Sequence, residues 1–190
     1  MKRRTLDITL ATVGLVVAVV MAIAGGVLLY AGTFAHTTVS DELAAQQIAF
    51  PPATALPPEL QQYAGQQVTT GPLAKEYAAM IAGHLQAVAD GKTYSQVSEE
   101  WIASSKDPAA RDQALGAQRQ TLFMGETLRG LLLNTYAFWI FGTIAIVGAF
   151  VAWAAAVVLL ALAIVGFVHA RRHADEVVFA AAPSIESIPA

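Results

Sequence analysis

The sequence predicts an all-α membrane protein, with two transmembrane helices flanking a small, mainly helical extracytoplasmic domain. Three observations predict it. Of 190 residues, 56% are hydrophobic and only 13% charged, whereas soluble domains carry roughly a quarter charged residues. Two long stretches, between Asp7 and Asp41 and between Arg129 and Arg171, contain no Asp, Glu, Lys or Arg. Between them lie caps, prolines and apolar positions at helical spacing, with no convincing alternating strand.

The first element follows a short cytoplasmic N-terminus, 1–7. The apolar run of residues 8–35 is rich in Val, Leu, Ala and Ile. About 20 residues at 1.5 Å each cross the hydrocarbon core, so this run is long enough for transmembrane helix 1. Signal-peptide apolar regions are roughly 7–15 residues, and Thr33-Phe34-Ala35 is a poor cleavage site. The run therefore reads as a retained anchor.

Residues 36–135 form the expected extracytoplasmic domain. Val39, Leu43, Ile48 and Phe50 extend the apolar pattern beyond the first span. Pro51, Pro52, Pro57 and Pro58 then impose an extended path. Gly71-Pro72 opens a helix whose apolar stripe is Leu73, Tyr77, Met80, Ile81, Leu85 and Val88. Gly91 after Asp90 is the expected C-cap. Thr93 with Gln96 makes a capping box for a shorter helix, placing Tyr94, Val97 and Trp101 on one face. Asp107-Pro108 is the next expected helix start, and the helix is expected to run through Leu115, Leu122, Leu128 and Leu132 into the second span. Gln66 to Thr70 is the one strand candidate, and it is short.

Transmembrane helix 2 is read as 136–170. Tyr136, Phe138, Trp139 and Phe141 mark its outer interface, where aromatic rings settle at headgroup level. His169, Arg171, Arg172 and His173 close the other end, followed by a cytoplasmic tail, 171–190. Lys2, Arg3 and Arg4 before span one and Arg171 and Arg172 after span two place both termini in the cytoplasm. The long central segment carries six basic and ten acidic residues, a net charge of 6 − 10 = −4.

Gly14, Ala18, Ala22 and Gly26 recur every fourth residue in span one, and Gly148, Ala152 and Ala156 do the same in span two. Such small-residue stripes let helix backbones approach closely and gain van der Waals contact in lipid. These seven residues are the expected helix-packing positions. The partner is left open between the other span, a second copy and another membrane protein.

The residues offer no catalytic constellation. There is no cysteine, which excludes disulfides, thiolate zinc sites and iron–sulfur clusters. No basic stripe with interleaved aromatics appears, so nucleic acid is not an expected partner. The segment lacks a nucleophile elbow, a phosphate-binding loop, a dinucleotide fingerprint and a zinc-protease helix. Glu99 and Glu100 are adjacent and point in different directions, as a solvated helix face does. His84 lies beside the apolar stripe and reads as structural or interfacial. His169 and His173 are four apart, but the cations Arg171 and Arg172 between them oppose a metal ion. No catalytic, cofactor-binding or metal residue is assigned. A cofactor is not expected.

Three stretches carry a resemblance: Tyr63 to Val68 (YAGQQV), Gly91 to Val97 (GKTYSQV) and Leu122 to Trp139 (LFMGETLRGLLLNTYAFW). With the basic N-terminus and first span, they make the chain similar to a group of uncharacterised actinobacterial two-span membrane proteins. Some of that group bear an automatic name of aromatic-ring-opening dioxygenase, a chemistry needing iron ligands that these residues do not supply. The resemblance implies a plasma-membrane location and no reaction.

The expected function is thus non-catalytic: an accessory or structural subunit of a larger plasma-membrane complex, a respiratory complex being one such assembly. Its expected partners are membrane lipids and other membrane subunits or a second copy. The alternative is an extracytoplasmic lipid- or ligand-binding sensing module.

Overall fold

The computed structural model describes residues 3–172. Lys2, His173 and all but the first two residues of the expected tail lie outside them. Among the described residues every regular element is helical: α1 (Arg3–Ala45), α2 (Gly71–Val88), α3 (Tyr94–Ala103) and α4 (Gln113–Arg172), with three short 3-10 turns at Ala53–Ala55, Pro58–Tyr63 and Pro108–Ala110. Two helices, α1 and α4, are long and apolar enough to cross a membrane. The described residues pack as two compact units: a terminal unit, 3–30 with 145–172, and a central unit, Ala31–Ile144.

In the terminal unit α1 and α4 pack antiparallel. A Cβ placed on Gly14 would lie 3.9 Å from Ala163 Cβ, and one on Gly25 would lie 3.1 Å from the Ala149 carbonyl. Besides Ala152, the buried positions here are Ala11, Ala18 and Gly25 on α1 and Ala149, Ala156, Ala163 and Ala170 on α4. Each set is spaced by seven. A seven-residue step drifts only about 20° around a straight helix, so it keeps small side chains against one partner. Trp153 locks the pair, its indole Nε1–H donating to the Ala22 carbonyl at 3.0 Å.

The central unit is built by local signals. Thr70 caps α2, its hydroxyl accepting from the Leu73 amide, with Pro72 in the first turn. The Thr93–Gln96 capping box opens α3. Helix α2 ends at Ala89 with Asp90 in the left-handed region (φ 50°). The Gly91 amide then reaches back to the Gln86 carbonyl at 2.8 Å, a Schellman closure with Asp90 at the position glycine normally takes. The expected glycine cap is therefore shifted by one residue.

The Asp107-Pro108 start produces only a 3-10 turn. Arg111 is extended (ψ 150°), and α4 begins after Asp112, whose carboxylate accepts from the Leu115 amide at 3.0 Å. From there α4 continues unbroken to Arg172. The strand candidate forms one isolated bridge, Ala49 to Gln67, held by Phe50 N–H to the Gln66 carbonyl and Val68 N–H to the Ile48 carbonyl.

Two apolar clusters organise this unit. The larger gathers Val39, Leu43, Phe50, Leu56, Leu60, Val68, Ala74, Ala78 and Leu132. Phe50 is stacked on Tyr63 at 5.3 Å and meets the edge of Tyr77 at 5.2 Å. The smaller joins Leu85, Ala89, Val97 and Leu122. On α2 the most buried side chains are thus Ala74, Ala78 and Leu85, with Leu73, Tyr77, Met80 and Ile81 of the predicted stripe packed around them, while Val88, also predicted on that stripe, is exposed. Alanines at the contact let α2 approach its neighbours closely, and the bulkier side chains fill the flanks.

Candidate interaction surface

Helix α4 carries the most unusual surface of the central unit. Its inward residues, Leu122 and Leu132, are almost fully buried. Gly125 lies against Leu85, where a Cβ would fall 2.5 Å from Leu85 Cδ2. Successive residues turn by 100°, so Phe123, Met124, Leu128 and Leu131 fall on the other side. Their exposures are 54%, 57%, 41% and 60%. Single exposed apolar residues need no explanation, but four on one face over two turns form an apolar patch of the kind that interaction sites use.

The hydroxyls on this stretch are already satisfied. Thr121 donates to the Ala117 carbonyl at 3.1 Å, Thr127 to Phe123 at 2.7 Å and Thr135 to Leu131 at 2.9 Å. A face whose polar groups bond its own backbone loses little when water is removed. The charged pair on the same segment, Glu126 with Arg129 at 3.0 Å, is exposed; such a pair contributes little stability.

Beside this face lies a groove of ≈ 400 Å³ between α2 and α4, lined by Tyr77, Met80, Ile81 and His84 from α2 and by Met124 and Leu128 among others from α4. Met80 and His84 also line a second, more polar groove of ≈ 630 Å³ with Pro51, Pro57, Glu59 and Glu76.

The remaining residues of interest are engaged in packing. His36 lies flat on Trp139, with ring centroids 3.9 Å apart and planes at 6°. Its Nε2 is 3.0 Å from the Trp139 carbonyl and 3.1 Å from Thr143 Oγ1. Thr143 donates its own proton to that carbonyl, so Nε2 must be the protonated nitrogen of His36. Trp101 is flanked by two guanidiniums, Arg111 at 4.7 Å and Arg119 at 4.8 Å. Arg119 also lies over Tyr94 and donates to Ser98. Glu100 pairs with Lys92 at 2.8 Å and Glu99 accepts from Ser95, each on the solvated side of α3. His169 Nε2 is 3.9 Å from Asp7 Oδ2, a buried oxygen without a hydrogen-bond partner. Among the described residues no group of three or more His, Asp or Glu is placed to hold a metal ion.

The seven predicted packing residues divide by position. Ala18, Ala152 and Ala156 are buried. Gly14 is half-buried opposite Ala163, and Gly148 lies 3.6 Å, measured from an added Cβ, from Leu28 Cδ1. Ala22 is exposed and enters through its carbonyl alone. Gly26 meets nothing within 4 Å. A four-residue step rotates about 40°, so a residue three steps along has turned about 120° from the first. Gly25, which the four-residue spacing passes over, approaches α4 much more closely, a Cβ there falling 2.5 Å from Trp153. No sequence signal pairs Met124 with Met80, since only the packing of α4 on α2 brings them to one groove. The chain matches no protein-family model, no curated protein and no solved structure.

Proposed function

We propose that this chain is a non-catalytic subunit of a larger plasma-membrane assembly, spanning the bilayer twice with both termini cytoplasmic and the central region outside. The spanning part rests on composition and exposure together. Only 11% and 17% of the most apolar windows of α1 and α4 are buried, so their Val, Leu, Ile and Phe side chains meet surroundings rather than a protein core. Hydrocarbon is the solvent that suits such a surface. The orientation rests on the basic flanks, Arg3 and Arg4 before one span and Arg171 and Arg172 after the other.

The accessory role is carried by the Phe123, Met124, Leu128 and Leu131 face. It lies outside the stretch needed for crossing, and it would sit in water if nothing covered it. A partner subunit with a complementary apolar helix face is the occupant that this geometry fits.

The test is purification from native membranes in mild detergent, with Leu131→Asp and Phe123→Asp variants alongside the wild type. The wild type is expected in a complex larger than its own micelle, and each charged variant is expected to migrate as the free subunit while retaining its helicity. Wild-type protein recovered only as a monomer overturns the reading. The alternative, a sensing module that captures a ligand outside the membrane, draws on the two grooves beside α2.

A further inference from the structure

We propose that Met80, His84 and Met124 form a binding site for a soft monovalent metal cation, Cu(I) by its chemistry. The chain has four methionines, at positions 1, 21, 80 and 124. The two in the central unit come from different helices, yet both line the same groove. That unit holds two histidines. His36 has its Nε2 occupied by Trp139 and Thr143, while His84 lines the groove with the two methionines.

Convergence follows from the packing. Gly125 lets Leu85 press onto α4, because any Cβ there would overlap the Leu85 side chain. His84 and Met124 are the chain neighbours of that contact pair, and Met80 sits one turn before His84 on the same face of α2. Two thioethers and one imidazole thus border one cavity. Met124 is 57% exposed, so the site has an entrance from solvent.

Ligand softness sets the metal. Thioether sulfur selects Cu(I) and its analogue Ag(I), whereas Zn(II), Mg(II) and Ca(II) require imidazole, thiolate or oxygen donors in greater number. The groove that Met124 shares has no carboxylate among its lining residues. Glu59 and Glu76 border Met80 and His84 only in the neighbouring groove, which Met124 does not line, so the three-ligand set itself is soft. A chain without cysteine that binds a soft metal has thioethers as its sulfur donors. Met124 also belongs to the face proposed for docking, so a bound partner would cover this entrance; the metal titration is therefore made on the isolated chain, where no partner enters the measurement.

The experiment is titration of the full chain in detergent micelles with Ag(I), and with Cu(I) under anaerobic reducing conditions against a colorimetric chelator. One equivalent is expected to bind, with clear preference over Zn(II). Met80→Leu and Met124→Leu conserve volume and should leave the fold intact. Together they are expected to weaken binding by at least about 100-fold, because loss of ligands exceeds the 10–100-fold typical of second-shell changes. His84→Gln is expected to weaken it by about 10-fold or more on the same scale, and Met21→Leu to leave it unchanged. X-ray absorption of the wild-type complex should show sulfur scatterers beside a lighter one. Absence of stoichiometric binding overturns the proposal, as do equal affinity for Zn(II), unchanged affinity in the double variant, or a spectrum with nitrogen and oxygen alone.

Discussion

Two adjacent glycines on α1 should respond oppositely to the same substitution. Gly25→Ala places a methyl 2.5 Å from Trp153 Cδ1 and Nε1 and 3.1 Å from the Ala149 carbonyl. The indole is rigid and the carbonyl is backbone, so neither yields cheaply. Overpacking of this kind costs about 1–3 kcal/mol. If Trp153 swings away to escape, it forfeits its bond to the Ala22 carbonyl, worth about 0.6–1.7 kcal/mol between helices in a membrane. Against this stands a gain of about 1 kcal/mol for replacing glycine within a helix. The net expectation is a loss of about 1–3 kcal/mol from these terms. Gly26→Ala adds its methyl where nothing lies within 4 Å, and it keeps the propensity gain alone. Reversible unfolding of the full chain in bicelles, read by steric trapping, measures both. The pair should differ by about 2–4 kcal/mol, with Gly25→Ala the weaker. Equal stabilities within about 0.5 kcal/mol, or a more damaging Gly26→Ala, would refute the close approach of Gly25 to Trp153.

Other substitutions test the central unit. Gly71→Ala drives its methyl onto Trp139 Cβ and Cγ, so a loss of about 2–3 kcal/mol is expected in denaturant melts followed by tryptophan fluorescence. Thr93→Ala removes the α3 cap and should cost about 1 kcal/mol in the same assay. Asp90→Gly relieves a left-handed residue (φ 50°) and is expected to raise stability by about 0.5–1 kcal/mol. Trp101→Leu deletes the surface shared by Arg111 and Arg119; faster amide exchange over residues 104–112 is the expected result, and unchanged exchange would separate that segment from the indole.

The elements that read directly from the sequence are those whose cause lies within a few residues. Thr93 announces its helix because the cap bonds an amide three residues on, whereas Thr70, read as the end of a strand candidate, does the same for α2. The apolar runs within α1 and α4 stand out because their length and apolarity are visible without any partner. The α4 start shows the limit. Asp107-Pro108 has the right local chemistry, but Arg111 leaves the helical path and lies over Trp101, and Asp112 becomes the cap that counts. That outcome depends on a tryptophan ten residues away.

By itself, then, the sequence determined that the chain is helical, where its two long apolar helices lie and how α3 is capped. Tertiary structure decided which faces of those helices are used. Helix rotation is the physical reason. Each residue turns the face by 100°, so Gly25 and Gly26 are equivalent in composition and differ wholly in surroundings. Whether a four-residue or a seven-residue line of small side chains is buried depends on how the partner helix runs. The same holds for α4, whose leucines are chemically alike: Leu132 is core and Leu131, one step around, is surface.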